Sequence, residues 1–396
     1  QISIMNKPEV KLKKGKEQSL LRGHPWVFSG AIANDTQHTK AGVWVDVLDY
    51  KGGFLGSGHF AKGSIAVRIM SHTPIKTVEE FYAEKLQKAI NHRLNTGIFS
   101  LPKTNLWRLV FGEGDGMPGL IIDQYGQTLV IQAHSEGVHL DLPIIVSALQ
   151  SLKNVNFTAI YNKSADALQS KTMKAENGYL FGESANNAVK EYGHNFLVDW
   201  EGGQKTGFFI DQRENRRLVG QYAKNKKVLN AFCYTGGFSI YALDAGAKEV
   251  HSVDISAKAM ELTAQNASLS ANEKNHHAVT ADVFDYLKNM DDDFDMVVLD
   301  PPAFAKSKHT THNAVQGYKR INAMAMKKIK PGGLLFTFSC SQNISAKLFE
   351  DTIRAAAIEV GRPCRIIHRL TQPADHPVNI FHPEGEYLKG LALAVD

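Results

Sequence analysis

Two apolar runs in this chain end abruptly in residues that could carry out chemistry. The run Phe294–Leu299 is followed by Asp300, and the run of residues 334–339 is followed by Cys340. Each run has the length of a β-strand, and in an open α/β sheet ligands bind just beyond the carboxyl ends of the strands. If the two strands are neighbours, Asp300 and Cys340 lie in one crevice. A carboxylate beside a thiol predicts an enzyme that attacks a ring electrophile such as a pyrimidine base.

The position of Cys340 favours a nucleophile over the common alternative, a small buried apolar residue. It lies between Ser339 and Ser341 at a predicted strand end and not in mid-strand. Carbon C5 of cytosine is not nucleophilic by itself. A thiolate that adds to C6 lets C5 attack a methyl sulfonium, and loss of the C5 proton then releases the enzyme. Since a free thiol has a pKa of about 8.5, nearby positive charge or hydrogen bonds must favour the thiolate, while Asp300 could hold the N3/N4 edge of the base.

The residues after Asp300 indicate recognition of a nucleobase. Pro301 and Pro302 carry no backbone N–H, so neighbouring carbonyls stay free to accept from a base amino group, and Phe304 offers a ring for stacking. This pattern is similar to those of methyltransferases that act on nucleobases. Without Cys340 it would indicate methylation of a guanine or adenine nitrogen. Cys340 favours a carbon target, and nitrogen methylation stays the alternative.

Polar residues at successive predicted strand ends indicate a nucleoside cofactor. Gly236 and Gly237 separate a strand from a helix, where the backbone can approach a ligand closely. At the next two strand ends, Asp254 can accept from ribose hydroxyls, and Asp282 can accept from an adenine amino group while Val283 packs on the ring. Because Gly-x-Gly-x-x-Gly is absent, the set favours S-adenosylmethionine over a nicotinamide dinucleotide; carboxylates that only cap strand ends are the alternative. The predicted cofactor-binding residues are Phe209, Phe232, Tyr234, Thr235, Gly236, Gly237, Asp254, Ile255, Asp282, Val283 and Asp300.

The chain is long enough for two or three domains, with 396 residues of which 43% are hydrophobic and 21% charged. Residues 1–75 alternate apolar runs with glycine turns and hold ten Lys/Arg against five Asp/Glu. This pattern predicts a small basic β-domain suited to a polyanion such as RNA, with a solvated basic surface as the alternative. Residues 76–200 mix strands and helices, and residues 201–396 alternate them, as in a mostly parallel sheet.

The apolar runs, the cysteines and the histidines argue against a membrane protein, a disulfide-rich protein and a metal site. No apolar run approaches the ~18 residues of a membrane span, and no signal-peptide pattern opens the sequence. Three cysteines are too few for a disulfide framework or a zinc site, and the sixteen histidines show no metal-ligand spacing. The sequence therefore predicts a cytoplasmic protein with no membrane contact and no metal. The Gly/acid cluster at residues 112–119 predicts a structural turn and not a phosphate or calcium loop.

Longer segments match a known family over nearly the whole chain. They lie at residues 19–30, 112–120, 203–213, 230–238, 300–304, 337–341, 374–378 and 383–390. Among them are Arg22-Gly-His-Pro-Trp26, Asp300-Pro-Pro-Ala-Phe304 and Thr337-Phe-Ser-Cys-Ser341. On these segments the chain resembles the bacterial 23S ribosomal RNA large-subunit methyltransferase I family, which forms 5-methylcytosine with S-adenosylmethionine.

The resemblance implies a multidomain α/β protein. Residues 1–75 would form an N-terminal PUA-like β-barrel that binds RNA, and residues 76–200 a central α+β domain. Residues 201–396 would form a C-terminal Rossmann-like methyltransferase with a mostly parallel, seven-stranded sheet. The implied partner is 23S ribosomal RNA or a large-subunit precursor, and a homodimer is compatible with the family, which includes dimers. A PUA-anchored RNA-binding assembly factor without catalysis is the alternative from another class.

The resemblance also implies roles for single residues. Cys340 would be the nucleophile. Many RNA cytosine-C5 methylases carry a second cysteine where this chain has Pro301-Pro302, so the base that removes the C5 proton is unassigned, and Asp300, a water or another residue could serve. The segment of residues 204–209 is similar to one that closes over the cofactor; a structural hairpin is the alternative. The predicted substrate and RNA contacts are Pro301, Pro302, Phe304, Lys205, Arg213, Arg22 and His24.

Overall fold

A computed structural model describes residues 7–291, 293–304 and 310–396. The chain divides into two compact units. The first comprises the chain up to Val189, together with residues 198–208 and 374–385, and the second comprises residues 190–197, 209–373 and 386–396. The predicted domain boundaries after residues 75 and 200 stay predictions, and residues 1–6 of the first predicted domain lie outside the described residues.

The first unit begins with a five-stranded sheet in the order β1-β3-β4-β5-β2. Strands β1 and β3 pair in parallel and the other neighbours are antiparallel. Among the described residues, the pairings join β1 to β2 only through the intervening strands, so closure into a barrel stays a prediction. The elements are β1 (Glu9–Lys11), α1 (Gln18–Leu21), β2 (Trp26–Phe28), β3 (Trp44–Leu48), β4 (Phe54–Phe60) and β5 (Ile65–Ser71).

A second five-stranded sheet of this unit, in the order β10-β9-β8-β7-β6, packs with three helices around one apolar core. The longest helix begins where the Thr77 hydroxyl accepts from the Glu80 N–H, and it is followed by Gly97 in a left-handed conformation. The elements are α2 (Val78–Asn95), β6 (Leu106–Phe111), β7 (Leu120–Tyr125), β8 (Thr128–Ala133), α3 (Glu136–Leu140), α4 (Leu142–Gln150), β9 (Ala159–Asn162) and β10 (Gly178–Phe181).

The Gly/acid cluster at residues 112–119 contains a 3-10 turn, Gly112–Asp115, whose acid has a structural task. The Asp115 carboxylate accepts from both terminal nitrogens of buried Arg93, at 2.5 and 2.9 Å, and from the Phe111 N–H. With these donors the carboxylate fixes the turn onto α2, in agreement with the structural interpretation of this cluster.

The second unit is built on a seven-stranded sheet in the order β15-β14-β13-β16-β17-β19-β18. The sheet is mixed, because β19 runs antiparallel to both of its neighbours while the other described pairings are parallel. A two-stranded sheet of β11 (Ala188–Glu191) and β12 (His194–Leu197) precedes it. The later elements are α5 (Arg213–Ala223), β13 (Lys227–Ala231), α6 (Gly237–Asp244), β14 (Glu249–Asp254), α7 (Ala257–Ser268), β15 (His276–Thr280), α8 (Val283–Asn289), β16 (Phe294–Leu299), α9 (Thr311–Lys328), β17 (Ile329–Ser339), α10 (Ala346–Val360), β18 (Cys364–Thr371) and β19 (Lys389–Val395).

The central strands of this sheet are apolar on both faces and form the core with α9 and α10. Local residues set both ends of helix α10: Ser345 accepts from the Leu348 N–H at the start, and Gly361 takes a left-handed φ of 67° at the end. Strand order reverses between β13 and β16, and a crevice at such a switch point is where an open α/β sheet binds ligands. Among the described residues, none of the helices has the length and apolar character needed to cross a membrane.

Candidate active site

The register of the central strands brings Asp300 and Cys340 to the same edge of the sheet. Ala231 of β13 pairs with Leu299 of β16, and Leu299 pairs with Thr337 of β17. Asp300 therefore follows the end of β16 at the level where β17 still continues, and Cys340 follows the end of β17. The two side chains that the sequence predicts to share a crevice lie on adjacent strands.

The Cys340 thiol is held protonated in the resting protein. Its pKa is raised to about 11, first by burial and then by the negative charges of Asp300 and Asp211, while Lys389 opposes the rise. A thiol within reach of both carboxylates is therefore in the same crevice as Asp300. Its ionisation needs a proton acceptor or added positive charge.

Lys389 is the cation that faces this thiol, and it was not among the predicted site residues. The residue is 6% exposed, and its ammonium donates to the carbonyls of Ser341, at 2.7 Å, and Ile344, at 2.6 Å. These bonds fix the loop that follows Cys340. Burial lowers the pKa of Lys389 to about 8, and the charge of Cys340 acts in the opposite direction. The signal that could have found it is its place in the matching segment at residues 383–390.

Replacing Lys389 with methionine is expected to make Cys340 harder to ionise, because the variant removes positive charge next to the thiol. At pH 7, where the Lys389 ammonium is still charged, alkylation of Cys340 by iodoacetamide should slow about tenfold, as for a rise of about one unit in the pKa of the thiol. Peptide mass spectrometry would follow this cysteine alone. Lys389→Arg keeps the charge and serves as the control. Identical rates at pH 7 in all three proteins would show that Lys389 only supports the loop.

Asp300 is the second residue of the crevice whose pKa is far from its ordinary value. Its pKa is raised from 3.8 to about 7, first by burial and then by the charge of Asp211, while a hydrogen bond from Gln212 and the charge of Arg216 oppose the rise. Gln212 and Asp211 belong to a 3-10 turn, Ile210–Gln212, that precedes α5. The carboxyl of Asp300 is thus able to hold or release a proton near neutral pH.

The turn at residues 210–212 is anchored by buried charge. Arg216 donates to the Phe209 carbonyl at 2.8 Å and to both oxygens of the Glu191 carboxylate, each at 2.8 Å. The guanidinium is 2% exposed and Glu191 is fully buried. This fork-to-fork pair fixes the start of α5 and therefore the positions of Asp211 and Gln212 beside Asp300.

The predicted cofactor loop after β13 has a strained backbone. Phe232 and Tyr234 adopt positive φ angles of 59° and 49°, which bulky residues rarely do, and Gly236 has a φ of 79°. Asp254 compensates by accepting from the Tyr234 N–H at 3.0 Å and from the Ser256 N–H at 2.9 Å. The carboxylate that the sequence assigns to ribose binding therefore also sets the shape of the loop.

The helix that follows the loop offers donors to an anion. Helix α6 begins after Gly236 without a side-chain cap, so its first backbone N–H groups are not capped by a side chain of its own N-terminus. Buried Thr235 is fixed through its carbonyl, which accepts from Asn266 at 2.9 Å, and Gly237 lies against Arg216. Phe209 packs edge-on against Tyr234, with ring centroids 5.2 Å apart. An uncapped helix start beside an aromatic loop fits the carboxylate and nucleoside of S-adenosylmethionine.

Three further predicted cofactor residues lie at the next strand ends. Ile255 is 71% exposed directly after Asp254, where its side chain is accessible to a bound ligand. Exposed Asp282 accepts from the Asp285 N–H at 3.1 Å and so caps α8. Val283 is 2% exposed within the apolar core. The carboxylate of Asp282 keeps lone pairs for an adenine amino group, whereas Val283 contributes chiefly to packing.

Asp254→Ala is expected to weaken cofactor binding at least tenfold, because the loop loses both hydrogen bonds to charge and the ligand loses a carboxylate. A hydrogen bond to a charged group contributes roughly 1.5–3 kcal/mol. Calorimetric titration with S-adenosylmethionine would measure the change. Asp166→Asn, at an exposed position, is the matched control and should leave affinity unchanged. Equal affinities for Asp254→Ala and the parent protein would remove Asp254 from the cofactor site.

The predicted substrate residues differ in accessibility. Pro301 is buried and Pro302 is exposed. Phe304 packs on Tyr318, with ring centroids 4.7 Å apart, so the described conformation uses part of its ring in the core. The Tyr318 hydroxyl lies 3.0 Å from the Ser341 hydroxyl. Phe304 and Cys340 are therefore linked through one buried tyrosine.

The residues predicted to contact RNA phosphate also differ in exposure. Arg213 is fully buried and its Nε donates to Glu214 at 3.3 Å, so holding the start of α5 fits it better than contact with RNA phosphate. Lys205 and Arg22 are exposed cations in the first compact unit, and His24 belongs to the same unit. Exposed Lys205 and Arg22 remain available for a polyanion.

His24 lies in one of two histidine–carboxylate clusters found among the described residues. It lies near His382 and Glu384; the other cluster is Glu249, His251 and His277. The Trp26 N–H donates to Nδ1 of His24 at 3.2 Å, so Nε2 carries the proton and faces Glu384 at 3.5 Å. This tautomer suits a hydrogen bond and not a metal ligand at Nε2.

Comparisons with known proteins cover both units. Residues 10–72 match a model of the PUA-like domain, and residues 108–383 match a model of S-adenosylmethionine-dependent methyltransferases. The chain is 41% identical over 394 residues to Ribosomal RNA large subunit methyltransferase I of Tolumonas auensis, covering 97% of this chain and 98% of that protein. It is 39% identical over 393 residues to the protein of the same name from Escherichia coli O139:H28, with the same coverage.

Solved structures share the fold along nearly the whole length. A SAM-dependent methyltransferase from Streptococcus mutans has a TM-score of 0.82 at 24% identity, covering 98% of this chain and 100% of that chain. The methyltransferase SMU.776, complexed with SAH, has the same TM-score and identity and is covered over 99% of its length. At this identity the likeness shows the fold.

Proposed function

The chain belongs to the ribosomal RNA large subunit methyltransferase I family, and from that premise we propose that it methylates C5 of a cytosine in 23S ribosomal RNA through a covalent cysteine adduct. The membership confirms the predicted resemblance, the PUA-like and methyltransferase domains, and S-adenosylmethionine as the cofactor. The relatives' name supports ribosomal RNA of the large subunit as the substrate. A cytoplasmic location stays a prediction. Naked RNA or a subunit precursor as the form of the substrate stays a prediction, and so does a homodimer as the oligomeric state.

The pairing of Asp300 with Cys340 carries the proposal. A nitrogen methylase needs a site that holds an amino group, but it has no use for a thiol at the end of the adjacent strand. A carbon methylase needs both a nucleophile for C6 and a group that manages the proton of N3. The thiol has a pKa of about 11 and the carboxyl a pKa of about 7, each raised first by burial. Near neutral pH the carboxyl can therefore hold a proton to give to N3, whereas the thiol needs added positive charge or a proton acceptor to ionise.

The first step is addition of the thiolate to C6. Cys340 loses its proton to solvent water, the Sγ–C6 bond forms, and the electrons of the C5–C6 double bond move towards N3. Asp300, in its neutral form, donates a proton to N3 as charge develops there. Lys389 fixes the loop after Cys340 and offsets negative charge beside the thiolate. S-adenosylmethionine supplies an electrophilic methyl group and a positive charge in the same crevice.

The second step is attack by C5 and release of the product. Once C5 has taken the methyl group, C5 is tetrahedral and still carries its proton. Removal of that proton restores the double bond and expels Cys340 as a thiolate. Asp300 recovers its proton from N3 at the same stage, and Cys340 regains a proton as the base releases the one it took from C5, which returns the enzyme to its starting state.

Mass spectrometry of digested RNA tests the proposed function. Unmodified 23S ribosomal RNA, transcribed in vitro, would be treated with the protein and with cofactor carrying a labelled methyl group. We expect the label in 5-methylcytidine and in no other nucleoside. Label in a methylated guanosine or adenosine would favour the nitrogen methylase, and absence of label with intact cofactor binding would favour an assembly factor.

A further inference from the structure

One step of the proposed reaction has no residue assigned to it, namely removal of the C5 proton. The position that holds a second cysteine in many RNA cytosine-C5 methylases is occupied here by Pro301-Pro302. Asp300 already donates a proton to N3 and takes it back in the proposed mechanism. The crevice holds a second carboxylate, Asp211. Its charge raises the pKa of both Asp300 and Cys340.

Contacts from two elements hold Asp211 within electrostatic reach of both Asp300 and Cys340. The next residue, Gln212, gives a hydrogen bond to Asp300. On the other side the Tyr387 hydroxyl donates to Oδ2 of Asp211 at 2.5 Å. Tyr387 lies two residues before Lys389, whose ammonium holds the loop after Cys340. The turn at residues 210–212 and the last strand thus fix the carboxylate from two directions.

The two oxygens of Asp211 are not equivalent. Oδ2 is bonded to Tyr387, whereas Oδ1 is buried and has no hydrogen-bond partner among the described residues. An unpaired buried carboxylate oxygen is costly, and such atoms in folded proteins call for a functional explanation. The negative charge of Asp211 raises the pKa of both Asp300 and Cys340. A free oxygen with that influence faces the crevice and not the solvent.

Asp300 and Asp211 have different roles in proton transfer. Asp300 has its pKa raised to about 7 by burial and by the charge of Asp211, so Asp300 is the one that keeps a proton. Paired acids whose environments separate their protonation commonly act as one acid and one base. Asp300 then serves as the acid towards N3, and Asp211 is available as the base.

We infer that Asp211 is the base that accepts the C5 proton, an inference that rests on the proposed cytosine-C5 reaction. The C5–H bond breaks and its proton passes to Oδ1. The electron pair of that bond forms the C5–C6 double bond, the C6–Sγ bond breaks, and its electrons leave with Cys340 as thiolate. No oxidant or reductant is needed. Tyr387 positions the carboxylate through Oδ2 and leaves Oδ1 to the substrate.

Asp211→Asn separates methyl transfer from release. The probe is unmodified 23S transcript carrying tritium at C5 of cytidine, with S-adenosylmethionine labelled with carbon-14 at the methyl group. We expect about one methyl group transferred per enzyme, an RNA–protein adduct that survives detergent, and tritium release slowed roughly 10²–10⁴-fold, the usual contribution of a general base. The parent protein should release one tritium for each methyl group transferred.

Tyr387→Phe keeps the carboxylate and removes only the bond that orients it, so it carries the test if Asp211→Asn disturbs folding. It should also accumulate adduct and slow tritium release at least tenfold. Exposed Asp166→Asn is the matched control and should behave as the parent protein. Tritium release at the parent rate in either folded variant, or loss of adduct formation in Asp211→Asn, would overturn the assignment. A parent protein that methylates without releasing tritium would instead overturn the proposed function.

Discussion

Cys340→Ala is expected to abolish methylation of cytosine C5, with a loss on the order of 10⁴-fold or more, because no other described group can add to C6 from this position. Removal of a catalytic nucleophile leaves only the contributions of binding and orientation. The measurement is transfer of labelled methyl groups to 23S transcript. A second readout uses transcript with 5-fluorocytidine, in which fluorine replaces the proton that must leave. The parent protein should be trapped as a covalent complex, and the variant should form none.

The chain supplies a matched control for this experiment. Cys364 begins β18 and is partly exposed, as Cys340 is, but its sulfur lies against the Arg362 carbonyl away from the crevice. Cys364→Ala should retain activity and trapping. Cofactor titration of Cys340→Ala should remain normal, because the thiol is not part of the cofactor loop. Substantial C5 methylation by Cys340→Ala would contradict the covalent mechanism, and methylation of a nitrogen would return the Asp300 motif to its alternative function.

The strand ends of this site could be predicted because each is a local feature of the sequence. An apolar run that stops at a polar residue marks the end of a buried strand, and parallel strands end at one edge of a sheet. Asp254, Asp300 and Cys340 were found in this way. The bounds of helix α10, Ala346–Val360, are local in the same way, because a capping serine precedes the helix and a glycine follows it.

Residues that reach the crevice from other elements carried no comparable signal. Asp211 comes from a turn before α5, and Lys389 comes from the start of β19, far along the chain. Helix α5 itself was not predicted, because its buried face contains Arg213, Asn215 and Arg216 in place of an apolar stripe. Helix α8 was missed because a seven-residue helix with two buried positions shows too little periodicity.

Charge in the sequence does not reveal burial, and this limited the prediction of RNA contacts. Arg213 and exposed Lys205 are both cations in one matching segment, yet only the structure separates them. Val283 was expected on the adenine ring, and its side chain packs in the apolar core, a contact that residue type did not indicate. Tertiary packing decides such positions, so residue type alone could not predict them.

Asp300→Asn is expected to reduce C5 methylation roughly 10²–10⁴-fold, because asparagine keeps the shape of the side chain but cannot pass a proton to N3. Rates of methyl transfer at saturating cofactor would measure the loss. Trapping on 5-fluorocytidine transcript should fall in parallel, since addition to C6 itself needs that proton. A variant that traps normally but does not turn over would place Asp300 in product release.

The same substitution should stabilise the fold as the pH rises. Asp300 has a pKa of about 7 in the folded protein against an ordinary value of 3.8. The folded state therefore binds this proton more tightly, so its stabilising effect is complete below about pH 4 and is lost as the pH rises to about 7. The loss is at most about 4 kcal/mol, at about 1.4 kcal/mol for each pKa unit. Asparagine has no proton to lose, so the melting temperature of Asp300→Asn should gain on that of the parent protein between pH 5 and pH 8. Asp166→Asn should follow the parent curve. Parallel curves for Asp300→Asn and the parent protein would mean that the carboxyl is ionised in the resting enzyme and could not be the acid of the proposed first step.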